Sequence, residues 1–127
     1  MDAFDSDVLI YAAQNHVRGN VVARRIEDAA IQCIGSVLLI SEVFALPAAR
    51  VNPVEQQRLL QILGALDLKD VDYETAELAG VLRGKYRLRT RDALHLATAI
   101  LWGADRFHTN NREDFSQRID EIEIVLP

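Results

Sequence analysis

Short apolar runs alternate along the chain with longer amphipathic segments, a pattern typical of strands separated by helices. The apolar runs are brief and bounded by polar residues, so each is long enough for one short buried strand. The predicted strands are the stretch that ends at Phe4-Asp5, then Cys33–Gly35, Leu68–Val71, Arg106–His108 and Ile122–Leu126.

The segments between these strands repeat apolar residues at helical spacing. The predicted helices are one that opens near Asp7, then about Gly19–Ala30, Leu38–Leu46, Val54–Leu66, Tyr73–Tyr86 and Asp92–Trp102. Ser36 and Pro53 are typical of helix starts, whereas Pro47 and Gly103 are typical of helix ends.

This order of elements predicts an α/β fold in three layers, with a doubly wound, five-stranded parallel sheet and helices on both faces. Because there is no internal repeat, low-complexity tract or Gly/Ser linker, we expect residues 1–127 to form a single domain. In such a sheet the ligand crevice lies beyond the carboxyl ends of the strands, where the strand order reverses. Polar residues at that edge are therefore the candidates for function.

Composition narrows the class of protein. The chain has 127 residues, half of them hydrophobic, and Cys33 is the only cysteine. A disulfide framework and a cysteine zinc site are therefore excluded. No apolar run approaches the ~20 residues of a membrane span, and acidic residues stand where a signal peptide would carry positive charge. We expect a soluble cytoplasmic protein with no membrane association; its net charge of −5 still permits a local basic strip.

Four distant segments place polar side chains just after a strand or at the start of a neighbouring helix. These are Asp5 and Asp7 after the first strand, Glu42 after the second, Asp92 at the start of the late helix, and Thr109, Asn110 and Asn111 after the fourth strand. Carboxylates packed together repel one another unless a cation lies among them. Oxygen ligands without a His/Cys pair at metal spacing favour Mg²⁺ or Mn²⁺ over zinc. Such a site supports attack of a metal-activated water on a phosphodiester, which is nuclease chemistry.

At these residues the sequence resembles PIN domains, especially the stand-alone VapC-type ribonuclease toxins. The segments FDSDVLIYA, SEV, RDALHLATA and FHTNN are similar to the four signature blocks of that family, in order and across essentially the whole chain. The resemblance implies a PIN-like fold, an acidic Mg²⁺ or Mn²⁺ site and endoribonuclease activity on RNA. It also implies a cognate antitoxin as partner and a homodimer.

Position by position, the resemblance assigns the metal-binding and catalytic carboxylates to Asp5, Glu42 and Asp92. Thr109 matches the hydroxyl residue of the fourth block, which helps to hold the acidic side chains of the site in position. Asn111 occupies the fourth catalytic position, where the family usually has an aspartate. Because an amide brings no negative charge, we expect one firmly held ion and a weaker hold on a second. Asp7 and Asp114 are the supporting residues that would compensate.

A basic strip precedes the late helix. Five positive residues and no acid occur within nine positions, at Arg83, Lys85, Arg87, Arg89 and Arg91. If the strip is extended from about Tyr86, then Arg87, Arg89 and Arg91 point to one side and border the acidic pocket. There they would bind the phosphates of RNA or an acidic antitoxin tail. A solvated loop is the alternative.

The candidate acids have structural alternatives too. Capping and first-turn positions of helices commonly carry carboxylates, and this applies to Asp5, Asp7, Asp92 and Asp114. Glu42 lies on an otherwise apolar helix, so its carboxylate needs a partner if it is buried. His95 shares a helical face with Asp92 one turn away, which leaves a ligand or base role open to it.

Two other functions compete with the nuclease. A phosphoacceptor receiver domain has a similar length and acids after its first strand, but it needs a lysine after the last strand. This chain has no lysine beyond Lys85. The second alternative is a catalytically weakened PIN domain that binds RNA or another protein, which Asn111 favours.

Overall fold

The computed structural model describes residues 1–14, 16–46, 52–115 and 118–127, which form five strands and six helices. The strands are β1 (Asp2–Phe4), β2 (Cys33–Ser36), β3 (Asp67–Lys69), β4 (Arg106–His108) and β5 (Glu123–Val125). The helices are α1 (Ser6–Ala13), α2 (Val17–Glu27), α3 (Leu38–Phe44), α4 (Pro53–Gly64), α5 (Tyr73–Tyr86) and α6 (Thr90–Leu101). Each predicted element is present within a few residues of its predicted bounds. Pro47, predicted to end a helix, lies outside the described residues.

The described strands form a parallel sheet in the order β3-β2-β1-β4-β5. Ala3 of β1 lies opposite Ile34 of β2 on one side and opposite Phe107 of β4 on the other. The chain moves from β1 to β2 and β3 and then returns to the other side of β1, so the strand order reverses there. The predicted doubly wound parallel sheet is confirmed, and its crevice lies beyond the carboxyl ends of β1 and β4.

Apolar side chains fill both faces of the sheet. Because successive strand residues point to opposite faces, Phe4 and Cys33 pack with α1, α2, α3 and α4, whereas Ala3 and Ile34 pack with α5 and α6. Gly19 allows α2 to approach α1 closely, since a Cβ at this position would clash with the carbonyl oxygen of Tyr11. The sheet is therefore the middle of three layers, as predicted.

The ends of the strands position the candidate residues. β1 stops at Phe4, so that Asp5 caps α1 and accepts a hydrogen bond from the backbone N–H of Ser6. At the end of β2, the hydroxyl of Ser36 accepts a hydrogen bond from the backbone N–H of Leu38 at 3.1 Å, so α3 follows the strand at once. Both helices thus begin at the carboxyl edge of the sheet.

The placement of Arg87, Arg89 and Arg91 on one side depended on an extended strip, and the strip is not extended throughout. Arg87 ends α5 in the left-handed conformation with φ of 57°, and its N–H donates to the carbonyl of Arg83. Arg89 is extended directly before α6, and Arg91 lies in the first turn of that helix. Arg83 and Lys85 lie within α5, and residues 87–89 form a tight connection to α6. The two helices pack against each other, and Leu82 and Leu96 belong to one apolar cluster.

None of the helices in the described ranges has the length and apolar content that a bilayer span requires.

Candidate active site

Asp5 is buried directly after β1. Its carboxylate accepts hydrogen bonds from the Thr109 hydroxyl at 2.9 Å and from the backbone N–H of Ser6 at 2.7 Å. Its own N–H donates to the carbonyl of His108 at 2.9 Å, which ties the end of β1 to the end of β4. Burial raises the pKa of Asp5, and the nearby His95 and the Thr109 hydrogen bond offset part of that rise.

Glu42 reaches from α3 to a histidine of α6. Glu42 Oε1 lies 2.9 Å from His95 Nε2, and the His95 side chain is fully enclosed. Burial would raise the pKa of Glu42, but the hydrogen bond and electrostatic contact with His95 lower it overall. Among the described residues, Glu42 Oε2 and His95 Nδ1 are buried polar atoms without a hydrogen-bond partner. The site therefore retains coordinating capacity that the described side chains do not use.

Asp92 lies in the first turn of α6 and is 1% exposed. Burial, the charge of Asp5 and the contact with Asp114 raise the pKa of Asp92 to about 7. Arg91 Nε lies 3.8 Å from Asp92 Oδ1 and 3.9 Å from Glu42 Oε1. The structure thus brings the three candidate carboxylates to one side of the molecule, at the carboxyl edge of the sheet.

The loop after β4 adds Asn111 and Asp114 to this site. Asn111 Nδ2 donates to Asp114 Oδ2 at 2.9 Å and lies 3.4 Å from Asp92 Oδ2. The backbone N–H of Asn111 donates to the Thr109 hydroxyl at 3.1 Å, which places the amide next to the acids. The hydrogen bond from Asn111 lowers the pKa of Asp114. Asn111 is therefore a neutral donor between two carboxylates.

The arginines of the predicted strip are placed unequally. Arg89 Nε lies 3.6 Å from Asp114 Oδ2, and Arg91 lies beside the acids as described above. Arg87 is exposed and contacts none of the candidate acids among the described residues. Asp7 is half-buried on α1, where its charge raises the pKa of Asp5.

The donor set fits a divalent cation. Ligand atoms of Asp5, Glu42 and His95 lie within 4.8 Å of one another. Like-charge repulsion acts here too, because Asp7 raises the pKa of Asp5 and Asp5 raises that of Asp92. A cation would relieve that repulsion and would satisfy the free oxygen of Glu42. Carboxylate oxygens predominate in this set, which suits Mg²⁺ or Mn²⁺. The sequence did not place His95 among the ligands; its one available signal was the spacing of three residues from Asp92.

Comparison with solved structures supports the same fold. The chain is 26% identical to a protein of a toxin–antitoxin complex from Klebsiella pneumoniae, with a TM-score of 0.76 and coverage of 98% of this chain and 96% of that one. VapBC2 from Rickettsia felis, bound to a promoter DNA fragment, is 18% identical with a TM-score of 0.71 and coverage of 98% and 97%. DNA-bound VapBC from Salmonella typhimurium is 19% identical with a TM-score of 0.64 and coverage of 98% and 96%. The last two show likeness of fold alone.

No curated protein matches the chain. The family model of the PIN domain matches residues 3–121, which is nearly the whole chain. This match also excludes the receiver domain as an alternative. The chain therefore belongs to the PIN domain family.

Proposed function

We propose that this chain is a divalent-metal-dependent endoribonuclease and the toxin of a toxin–antitoxin pair. The observation that carries the proposal is the convergence of the buried Asp5 and Asp92 with the half-buried Glu42, where the pKa of Asp92 rises to about 7. A buried acid whose pKa is raised by burial and by neighbouring acids weakens the fold, so a functional use for it is the favoured explanation. Binding of a cation at this point would give these acids that function.

Asp5, Glu42 and Asp92 are the residues that would hold Mg²⁺ or Mn²⁺, with Asn111 beside them as the fourth catalytic position. A bound ion of this kind supplies an activated water and neutralises the charge that develops on the phosphodiester oxygens. Asp7 and Asp114 are supporting residues, because each adds negative charge within reach of the three acids.

Neighbouring side chains keep these acids in place and attract the substrate. Thr109 fixes the carboxylate of Asp5, and His95 fixes that of Glu42. Arg89 and Arg91 are exposed at the mouth of the site, where guanidinium groups bind phosphates well. Arg87, exposed in the same connection, would extend the RNA-binding surface away from the acids.

The toxin–antitoxin part of the proposal has separate support. The Klebsiella pneumoniae relative at 26% identity belongs to a toxin–antitoxin complex. By analogy, we propose a cognate antitoxin as the partner of this chain and a homodimer as its assembly. A single domain over residues 1–127 and a cytoplasmic location stay predictions.

RNA cleavage assays test the enzyme directly. We expect cleavage with Mn²⁺ or Mg²⁺, none with EDTA, and a loss of about 100-fold or more in Asp5→Asn and Asp92→Asn. Circular dichroism should show that both variants keep the fold. Asp105→Asn is the matched control, because Asp105 is an exposed aspartate just before β4, at the opposite edge of the sheet. Cleavage that survives EDTA, or full turnover in Asp92→Asn, contradicts the proposal.

A catalytically weakened PIN domain is the second candidate, and Asn111 favours it. Its amide donates to Asp114 and lies within reach of Asp92, so it partly satisfies the acids without a cation. A binding module of this kind would retain RNA with either ion present but would not cut it. If Asn111→Asp then gained cleavage, the weakened site would be the correct description.

A further inference from the structure

A cavity of about 400 Å³ opens from the acidic site along α1. Its walls include Glu42 and Arg91, which belong to the acidic site, together with Asp7, Ile10 and Gln14 from α1 and its end. Leu46, just beyond α3, adds a second apolar wall. This volume falls within the range of roughly 300–1,000 Å³ that is typical of sites for small ligands.

The type of side chain that lines the cavity changes along the axis of α1. Asp7 and Ile10 are three residues apart and lie on one face of α1, and Gln14 follows directly after the last residue of the helix. At 1.5 Å per residue, about 10 Å separates the first from the last along the helix axis. With distance from the acids, the wall therefore changes from a carboxylate to an apolar side chain and then to an amide. A nucleotide has the same order of parts: a phosphate, a hydroxylated ribose, a flat base and a polar base edge.

Two polar groups of this wall have unfilled hydrogen-bonding capacity among the described residues. The Asp7 carboxylate is half-buried but has no hydrogen-bond or ion-pair partner in the described part of the chain. The side-chain amide of Gln14 likewise has no partner there. Both groups line the cavity and are available to a ligand.

We propose that this cavity binds the nucleoside next to the scissile phosphate, with Asp7 accepting a hydrogen bond from the ribose 2′-hydroxyl. This rests on the proposed nuclease function, because the phosphate is assigned to the acids and Arg91. The base packs against Ile10 and Leu46. A carboxylate accepts hydrogen bonds and does not donate them, and the 2′-hydroxyl is a donor that RNA has and DNA lacks. Asp7 is therefore the residue that selects RNA.

The other end of the cavity discriminates less. The amide of Gln14 both donates and accepts hydrogen bonds, so it can satisfy the edge of any of the four bases. The apolar walls formed by Ile10 and Leu46 have no hydrogen-bonding pattern. The cavity therefore recognises the sugar strictly and the base loosely.

Single 2′-deoxy substitutions in a cleavable RNA test the role of Asp7. One deoxy position next to the cut should slow the wild-type chain by about tenfold, as expected for a lost hydrogen bond to a charged group. In Asp7→Ala the all-RNA substrate should be slower, and the same deoxy position should cause no further loss. Asp7→Asn should keep part of the sensitivity because its amide oxygen still accepts. Asp105→Ala should keep all of it.

Two outcomes of this assay overturn the proposal. In one, Asp7→Ala slows cleavage of the all-RNA substrate and of the deoxy substrate, while the ratio of the two rates stays as in the wild type. Asp7 would then act on the ion or on the start of the helix rather than on the ribose. In the other, no single deoxy position slows the wild-type chain.

A binding measurement separates this proposal from the proposed function. Fluorescence anisotropy with a short RNA and the matching DNA is measured in the Asp92→Asn background, where the substrate is expected to stay intact. We expect tighter RNA binding, with the preference lost when Asp7→Ala is added. Equal binding of RNA and DNA before that addition overturns the role of Asp7. RNA preference that depends on Asp7, in a chain whose wild type never cuts RNA, leaves the contact of Asp7 with the 2′-hydroxyl standing and removes the nuclease.

Discussion

Buried carboxylates lie at both ends of β1, and their surroundings are opposite in charge. Asp2, at the start of the strand, is fully buried and contacts three basic side chains. Arg25 bonds to Asp2 Oδ2, Arg106 Nε lies 3.1 Å from Oδ1, and His108 Nε2 lies 2.9 Å from Oδ2. Burial alone would raise the pKa of Asp2, but the hydrogen bonds from these side chains lower it to about 2.

Beyond the other end of β1, acids face acids. Asp5 and Asp92 are each 1% exposed, almost as buried as Asp2, yet the pKa of both is raised. Burial is the largest cause of the raised pKa at Asp5 and at Asp92, and at Asp92 the neighbouring Asp5 and Asp114 add to it. At Asp2 the basic partners outweigh the effect of burial. The basic side chains around Asp2 make its charge stabilising, whereas the Asp5–Asp92 pair carries a charge that a cation would have to balance.

The largest expected effect on stability comes from removal of Asp2, whose charge is balanced by basic side chains. Asp2→Ala leaves Arg25, Arg106 and His108 around an empty space, and the free energy of unfolding should fall by about 3 kcal/mol. That is the lower end of the range for a broken buried pair, because both arginines keep some contact with water. Urea unfolding at pH 7 measures the change.

Asp105→Ala is the comparison for that measurement. Asp105 pairs with the chain's amino terminus beside the same strand but is 74% exposed, so its loss should change stability little. Equal effects of the two substitutions would mean that the contacts around Asp2 do not stabilise the fold.

The two ends of β1 also differ in how far the sequence predicted them. The site with Asp5, Glu42 and Asp92 was predictable, because the carboxyl ends of parallel strands share one edge whatever the exact register. The contacts of Asp2 were not, since they depend on the register that sets β1 against β4 and on the rotation of α2. No local pattern encodes a contact between residues 2 and 108.

The errors near the site have the same origin. The one-sided placement of the arginines assumed an extended strip, but a tight connection between the packed helices α5 and α6 holds Arg87 in the left-handed conformation. Likewise, the contact of His95 with Glu42 joins residues of two helices, and its formation depends on how α3 and α6 approach each other. Secondary structure follows from periodicity and caps, whereas pairing of side chains between elements needs the packed fold.

The second expected effect is a gain in stability when Asp92 is replaced, and its size depends on pH. The pKa of Asp92 is raised from 3.8 to about 7 by burial, Asp5 and Asp114, so the folded chain holds this proton more tightly than the unfolded chain. Without divalent ions, its contribution therefore lowers the free energy of unfolding as pH rises from about 4 to about 7. Asp92→Asn should remove that decline and raise stability at pH 8 by on the order of 2 kcal/mol.

Asp2 provides the internal reference for this pH profile. Its pKa is lowered to about 2, so its stabilisation is present above about pH 4 and is lost as pH falls towards 2. Urea unfolding in EDTA from pH 2 to pH 8 should show that Asp92→Asn changes the limb above pH 4 and leaves the acidic limb intact. A variant less stable than the wild type at pH 8 would show that the Asp92 charge is already compensated. Added Mn²⁺ should stabilise the wild type more than Asp92→Asn, because binding favours the folded state.

The smallest expected effect concerns Asn111, the uncharged residue among the acids beyond the end of β1. Asn111→Asp replaces an amide that donates to Asp114 and lies near Asp92 with a further carboxylate. Stability in EDTA should fall by about 1 kcal/mol, because like charges then meet in a partly buried space. The same charge should strengthen the hold on a cation, so the Mn²⁺ concentration that gives half-maximal thermal stabilisation should fall several-fold. If Mn²⁺ dependence stays unchanged while stability drops, Asn111 lies outside the cation site and serves only to bridge Asp92 and Asp114.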